Sequence, residues 1–255
     1  MSNRISIFTY KKSTSHLTVK ENLVQRNTRT YNVSKTISTK LNLVFLAVLT
    51  ISVLLTSLIV RSEPGVNLSD AFIKQMGQKY GKRAQLRLQR WQKLITDLQN
   101  DSEQDKLTKV NDFFNKVRFL DDIQHWRKKD YWATPVEFLV TNGGDCEDFT
   151  IAKYYTLKAL GVDISKMSIA YVKALDYNQA HMVLTYYSSP KAEPVILDNL
   201  IPQIKKASKR TDLLHVYSFN GDNLWISKKG RRANLVGSSD KLGPWVKLQN
   251  KLKTQ

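Results

Sequence analysis

The hydrophobic pattern changes character twice along the chain. Residues 41–60 (LNLVFLAVLTISVLLTSLIV) carry no charged side chain, and as a helix they are long enough to cross a bilayer core of about 30 Å. After a linker punctuated by Pro and Gly, SEPGVNLSD, apolar residues recur at mostly three- and four-residue spacing. Leu86, Leu88, Trp91, Leu94, Ile95 and Leu98 form one stripe, and Val110, Phe113, Phe114 and Val117 another. These predict helices over 69–99 and 104–118 whose stripes are core. Pro135 suits the first turn of a short helix, PVEFLV, that stops at Gly143-Gly144. The segment DCEDFTIAKYYTLKALG then reads as a helix capped by Asp145, with Glu147 and Asp148 at its positive end and Gly161 past its last turn.

Beyond Gly161 the pattern becomes strand-like. MSIAYVKAL, HMVLTYYS, PVILDNL, HVYSF and NLWISK are β-branched or aromatic runs separated by turn residues. Helices first and strands afterwards predict an α+β domain, a helical N-terminal part followed by an antiparallel sheet.

Charge sharpens the division. The chain has 255 residues and a formal charge of +18, a balance that by itself points to nucleic acid or a membrane surface. Residues 1–40 hold eight basic side chains against one acidic, and Arg61 closes the apolar run. That asymmetry predicts a cytoplasmic leader (1–40), a membrane-spanning signal-anchor or signal segment (41–61) and an exported domain (62–255). No Ala-x-Ala site follows the run, and it exceeds a usual signal core, which favours an uncleaved anchor over a cleaved signal. The excess over 62–255 is scattered, without an aromatic-and-basic recognition module, so nucleic acid is not the expected partner.

The single cysteine excludes an intramolecular disulfide framework. Taken alone, Cys146 reads as a small buried hydrophobe. Its place one residue after the predicted cap changes this, because unpaired N–H groups and partial positive charge favour thiolate and can bind an oxyanion. His181 opens one predicted strand and Asp198 lies near the end of the next. If Ser188 to Glu193 form the loop, Asp198 faces Val183, and His181 shares the face of Val183. The two side chains are then diagonal neighbours, near enough for the carboxylate to orient the imidazole; a loop one residue longer or shorter separates them. Cys146, His181 and Asp198 together are what thiolate catalysis requires. The acids Asp145, Glu147 and Asp148 crowd the sulfur, and like charges raise its pKa. A divalent cation would cancel that effect, and carboxylate oxygens suit calcium better than zinc. The alternative is a helix terminus that simply prefers acids.

WATPVEFLVTNGGDCEDF, AHMVLTYY and PVILDNL resemble the bacterial transglutaminase-like cysteine proteinases, most closely their LapG-type periplasmic branch, over roughly residues 70–230. The resemblance implies a papain-like α+β fold, with Cys146 as nucleophile, His181 as base and Asp198 as orienting residue. It also implies a calcium site beside the nucleophile, a large surface adhesin as substrate with control of biofilm attachment, and an inner-membrane cyclic-di-GMP receptor that sequesters the protease. A periplasmic location follows, anchored or released according to the fate of residues 41–61. Two other readings use the same residues: a transglutaminase or other acyl transferase, and a non-catalytic calcium-dependent binding module.

Overall fold

A computed structural model describes residues 66–228 and 231–254. The basic leader and the apolar segment 41–61 lie outside the described residues. Among the described residues no helix is long and apolar enough to cross a membrane.

The stripe predicted as one helix over 69–99 folds as two, α1 (Asp70–Tyr80) and α2 (Lys82–Asp97). Gly81 separates them at φ 92°, a conformation that glycine adopts without steric cost. Leu88, Trp91, Ile95 and Leu98 are buried as the spacing requires, while Leu86 turns to solvent. α3 (Glu103–Phe114) is capped by Ser102 and ends before Val117, which lies past its last turn. Then come β1 (Arg118–Phe119), α4 (Asp122–His125), α5 (Pro135–Thr141), β2 (Gly143–Gly144) and α6 (Cys146–Ala159). A reciprocal capping box starts α5: Glu137 N–H donates to Thr134 Oγ1 at 3.2 Å, and Thr134 N–H to Glu137 Oε2 at 2.8 Å. Asn142, left-handed at φ 56°, stops the helix, so the glycine pair begins the turn into α6.

The strands are β3 (Met167–Ala174), β4 (Gln179–Tyr186), β5 (Val195–Leu197), β6 (Lys205–Lys206), β7 (Leu213–Phe219), β8 (Asn223–Lys228) and β9 (Arg231–Ser238). They form one antiparallel sheet in the order β6-β5-β4-β3-β7-β8-β9. Alternation divides its faces. Met167, Ile169, Met182, Leu184, Leu197 and Phe219 join the helices in the main core, whereas Ala170, Val172, Val183 and Ile196 make a smaller cluster with Ala207 and Leu213. α6 is buried nearly all round, and Trp91 Nε1 donates to Thr156 Oγ1 at 2.9 Å to tie it to α2. α7 (Gly243–Lys253), left unassigned by the sequence pattern, buries Trp245, Leu248 and Leu252.

Candidate active site

The predicted strand register is the one observed: Leu184 pairs with Leu197, Thr185 with Ile196 and Tyr186 with Val195. β5 stops at Leu197, and Asp198 continues its alternation onto the side of the smaller cluster, where His181 also projects. His181 Nε2 lies 2.7 Å from Asp198 Oδ1, and both residues are buried. Leu200 N–H donates to the same oxygen at 3.0 Å, and Arg210 Nη2 donates to Asp198 Oδ2 at 2.7 Å. Burial pushes the Asp198 carboxyl up, but the hydrogen bond and charge of His181, the Leu200 N–H and Arg210 outweigh it and hold it down to about 2. An ionised carboxylate only accepts, so Nε2 directs its proton at Asp198 and Nδ1 is the nitrogen left to exchange a proton with the thiol.

The short length of β5 also seats the nucleophile. Met182 has the parity of Leu184, so its N–H and C=O point toward β5, which ends before reaching it. The first turn of α6 takes that place. Thr150 Oγ1 donates to the Met182 carbonyl at 3.0 Å, and the Met182 N–H is directed at the Cys146 sulfur. Cys146 is thereby fixed to the strand that carries His181.

The thiol is a weak acid in this arrangement. Burial pushes Cys146 well above the usual thiol range, the charges of Glu147 and Asp145 and a hydrogen bond to Glu147 push further, and the Met182 N–H opposes them. Sγ donates to Glu147 Oε2 at 3.1 Å. Burial and the acids together therefore outweigh the Met182 N–H. Asp145 occupies the N-cap position of α6, yet its side chain makes no capping hydrogen bond, contrary to the cap expected from the sequence.

The Asp145 carboxyl is instead turned to other acids. One oxygen from each of Asp122, Asp145 and Asp148 lies within 4.8 Å of the other two, and Asp122, Asp130 and Glu147 form a second such group. Asp122 Oδ1, Asp145 Oδ1 and Asp148 Oδ2 are buried without a hydrogen-bond partner. Their other contacts aim them: Asp148 Oδ1 accepts from Ala133 N–H at 2.7 Å, and Asp122 Oδ2 accepts from Tyr131 N–H. Gly144 is needed beside them, because a Cβ there would stand 2.2 Å from Asp148 Oδ2. Burial and then the neighbouring carboxylates raise Asp122 to about 6 and Asp145 to about 10, and burial raises Asp148 as well. Each buried unpaired acceptor costs about 1–3 kcal/mol. Two oxygens on one calcium ion stand at most about 5 Å apart, so the Asp122, Asp145 and Asp148 oxygens fit a hard cation.

Asp122 was missed by the sequence reading, since it precedes Asp145, Glu147 and Asp148 by more than twenty residues and shares no spacing with them. Its one local signal is a pair of acids, Asp121-Asp122, opening a four-residue helix. Arg210 was missed as well; it lies in a basic segment, SKR, outside the apolar runs that mark the strands.

The bacterial transglutaminase-like cysteine proteinase family matches residues 78–232. The chain belongs to that family. It is 43% identical in sequence to Legionella pneumophila LapG in three solved structures. The EGTA-treated form superposes with a TM-score of 0.65 over 72% of this chain and 98% of that chain. A further LapG structure gives 0.64 over the same shares. The calcium-bound form gives 0.63 over 72% and 99%. Comparison with curated protein sequences gives no match. The protein is thus a cysteine protease of transglutaminase-like fold, with mixed helices and an antiparallel sheet as the sequence predicted.

Proposed function

We propose that the protein is a calcium-dependent endopeptidase of the periplasm that cleaves a large cell-surface adhesin and so controls biofilm attachment. The observation that carries the reading is the buried His181–Asp198 pair at the open end of β4, the strand that also holds the Cys146 sulfur. Cys146 Sγ attacks the scissile carbonyl. His181 takes the thiol proton at Nδ1 and gives it to the leaving amine, and water then hydrolyses the thioester to regenerate the thiol. Asp198 keeps the ring in the tautomer that leaves Nδ1 free. The N–H groups of the first turn of α6 receive the developing oxyanion.

Asp122, Asp145 and Asp148 would hold the calcium ion, with Glu147 and Asp130 beside them. When bound, the ion neutralises carboxylates that otherwise oppose a thiolate next to them. The calcium-bound form of LapG supports this reading. Residues 41–61 are read as the membrane segment that places the domain outside the cytoplasm, and the same family likeness supports an inner-membrane cyclic-di-GMP receptor as the sequestering partner.

The test is incubation of the full chain with surface-adhesin fragments, with and without calcium and without added amine, followed by mass spectrometry. New peptide termini that depend on calcium and on Cys146 are expected. Cross-linked products without cleavage would make the protein an acyl transferase, and thiol-independent binding alone would overturn the enzymatic reading.

A further inference from the structure

The carboxylate behind the imidazole has a fixed cation of its own. The Arg210 side chain is 1% exposed and Asp198 is fully enclosed. Arg210 Nη2 donates to Asp198 Oδ2 at 2.7 Å and to Asp212 Oδ2 at 2.8 Å, while Nε donates to Asp212 Oδ1 at 2.9 Å. Asp212 is only two residues away, so the guanidinium is anchored by its own segment at the entry to β7 and presents its free edge to Asp198.

Stability alone does not account for this pair. Buried ion pairs seldom repay their desolvation, and Arg210 Nη1 is itself buried without a hydrogen-bond partner. Its effect on Asp198 does account for it. Asp198 lies past the last residue of β5, so no ladder bond of that strand fixes its side chain. With Oδ2 gripped by Arg210, Oδ1 is left to His181 and Leu200 N–H, and the carboxylate plane cannot turn. Lys153 of α6 also faces Asp198, but burial brings it down to about 7 against the attraction of Asp198 and Asp112. A guanidinium stays charged at every working pH. Arg210 is therefore the permanent cation of the group.

We infer that Arg210 is a positioning residue for catalysis, holding Asp198 ionised and in the one orientation that sets the His181 tautomer, with Asp212 as its anchor. The inference rests on the roles given above to His181 and Asp198, and it extends the buried group to Asp212, Arg210, Asp198 and His181.

The test compares the full chain with R210M and R210K by NMR of the His181 ring and the Asp198 carboxyl, both read without substrate, and by cleavage kinetics. In folded R210M the Asp198 titration should move up by about one to two pH units, and the downfield Nε2–H signal of His181 should broaden or vanish. kcat should fall about tenfold or more with KM nearly unchanged, the pattern of an interaction realised in the transition state. R210K, which keeps the charge and loses the fork, should recover part of each signal. A merely structural arginine would lower the melting temperature and leave the Asp198 titration and the His181 tautomer of the folded fraction as in the parent; that result overturns the inference. If R210M does not fold, R210K is judged by the same signals, and parental values there overturn it equally. Should the parent cleave nothing, the protease reading fails while the NMR signals still decide the role of Arg210.

Discussion

His181 Nε2 meets Asp198 Oδ1 at 2.7 Å across the end of a ladder whose last pair is Leu184 and Leu197. The place where β5 stops has two consequences. It frees Asp198 to leave the sheet and meet His181 and Arg210, and it opens the edge of Met182 to the first turn of α6. A longer β5 would occupy the edge that Cys146 and Thr150 now use. The site is therefore a product of strand length as much as of residue choice.

Cys146→Ala should abolish cleavage, by about a thousandfold or more, the scale for a nucleophile that acts as a unit with its base. The fold should stand, because the half-buried side chain carries little of the core, and stability should stay within about 1 kcal/mol of the parent. Cleavage assays paired with thermal melts check both halves. Substantial turnover by the folded variant would remove Cys146 from the mechanism.

Asp198→Asn tests orientation against charge. The amide keeps the shape, but it can donate to His181 where the carboxylate only accepted, and the ring is then free to take the wrong tautomer. kcat should fall by about 10² to 10⁴. The change also strips Arg210 of one of its two carboxylates in a buried place, which should cost about 3 kcal/mol. Urea unfolding measures the second effect separately from the first.

Much of this site was legible in the sequence, and the missing parts share a physical cause. The loop Ser188–Glu193 fixed the β4–β5 register, and the register brought His181 to Asp198; alternation is a local rule and it transfers. The start of α5 at Pro135 and the place of Cys146 at a helix start were equally local. Asp122 and Arg210 are different. Each reaches the site through tertiary packing, Asp122 from a four-residue helix and Arg210 from a turn before β7, and neither has a periodic neighbour to betray it. The split at Gly81 and the exposure of Leu86 have the same origin, since a stripe of spacing three and four cannot show where a helix is interrupted. Asp145 stands at the N-cap position as read, but its side chain makes no capping hydrogen bond and lies among the acids gathered around it.

Acid stability should report Asp198. Its folded pKa of about 2 lies below the ordinary 3.8, so the folded state releases the proton more readily than the unfolded chain does. The resulting stabilisation is complete above about pH 4 and is lost as the pH falls toward 2. For a shift near two units this amounts to about 2–3 kcal/mol. Urea midpoints measured between pH 2 and 5 should fall along that window in the parent, and Asp198→Asn should remove the corresponding part of the slope. An equal slope in both proteins would mean that other carboxylates carry the acid transition.

Calcium should reverse a stability loss of the opposite sign. Asp122 is raised to about 6 and Asp145 to about 10, burial being the larger cause and neighbouring carboxylates the next. Here the folded state holds protons that the unfolded chain releases near pH 4. In chelator, the contribution of these acids to stability is therefore fully present below about pH 4, falls as the pH rises through about 6, and keeps falling as Asp145 is forced to ionise. A cation bound by the ionised oxygens removes the cause, and by mass action it contributes about 2.7 kcal/mol at a hundred times its dissociation constant. Melting temperatures at neutral pH should accordingly rise with calcium far more than at pH 4, where protons occupy the same oxygens. Magnesium should do less, because it holds its water and demands a tighter octahedron. Asp122→Asn should flatten the pH dependence in chelator and weaken calcium binding by about tenfold or more, the scale of one ionised ligand in a site whose affinity follows charge count. Glu147→Gln should quicken alkylation of Cys146 in chelator, since it removes the negative charge of the carboxylate that accepts from Sγ at 3.1 Å. Melting temperatures that ignore calcium at neutral pH, in a parent whose Asp122→Asn variant also behaves identically, would show that these acids hold no cation and that Asp145 and Asp148 serve only the start of α6.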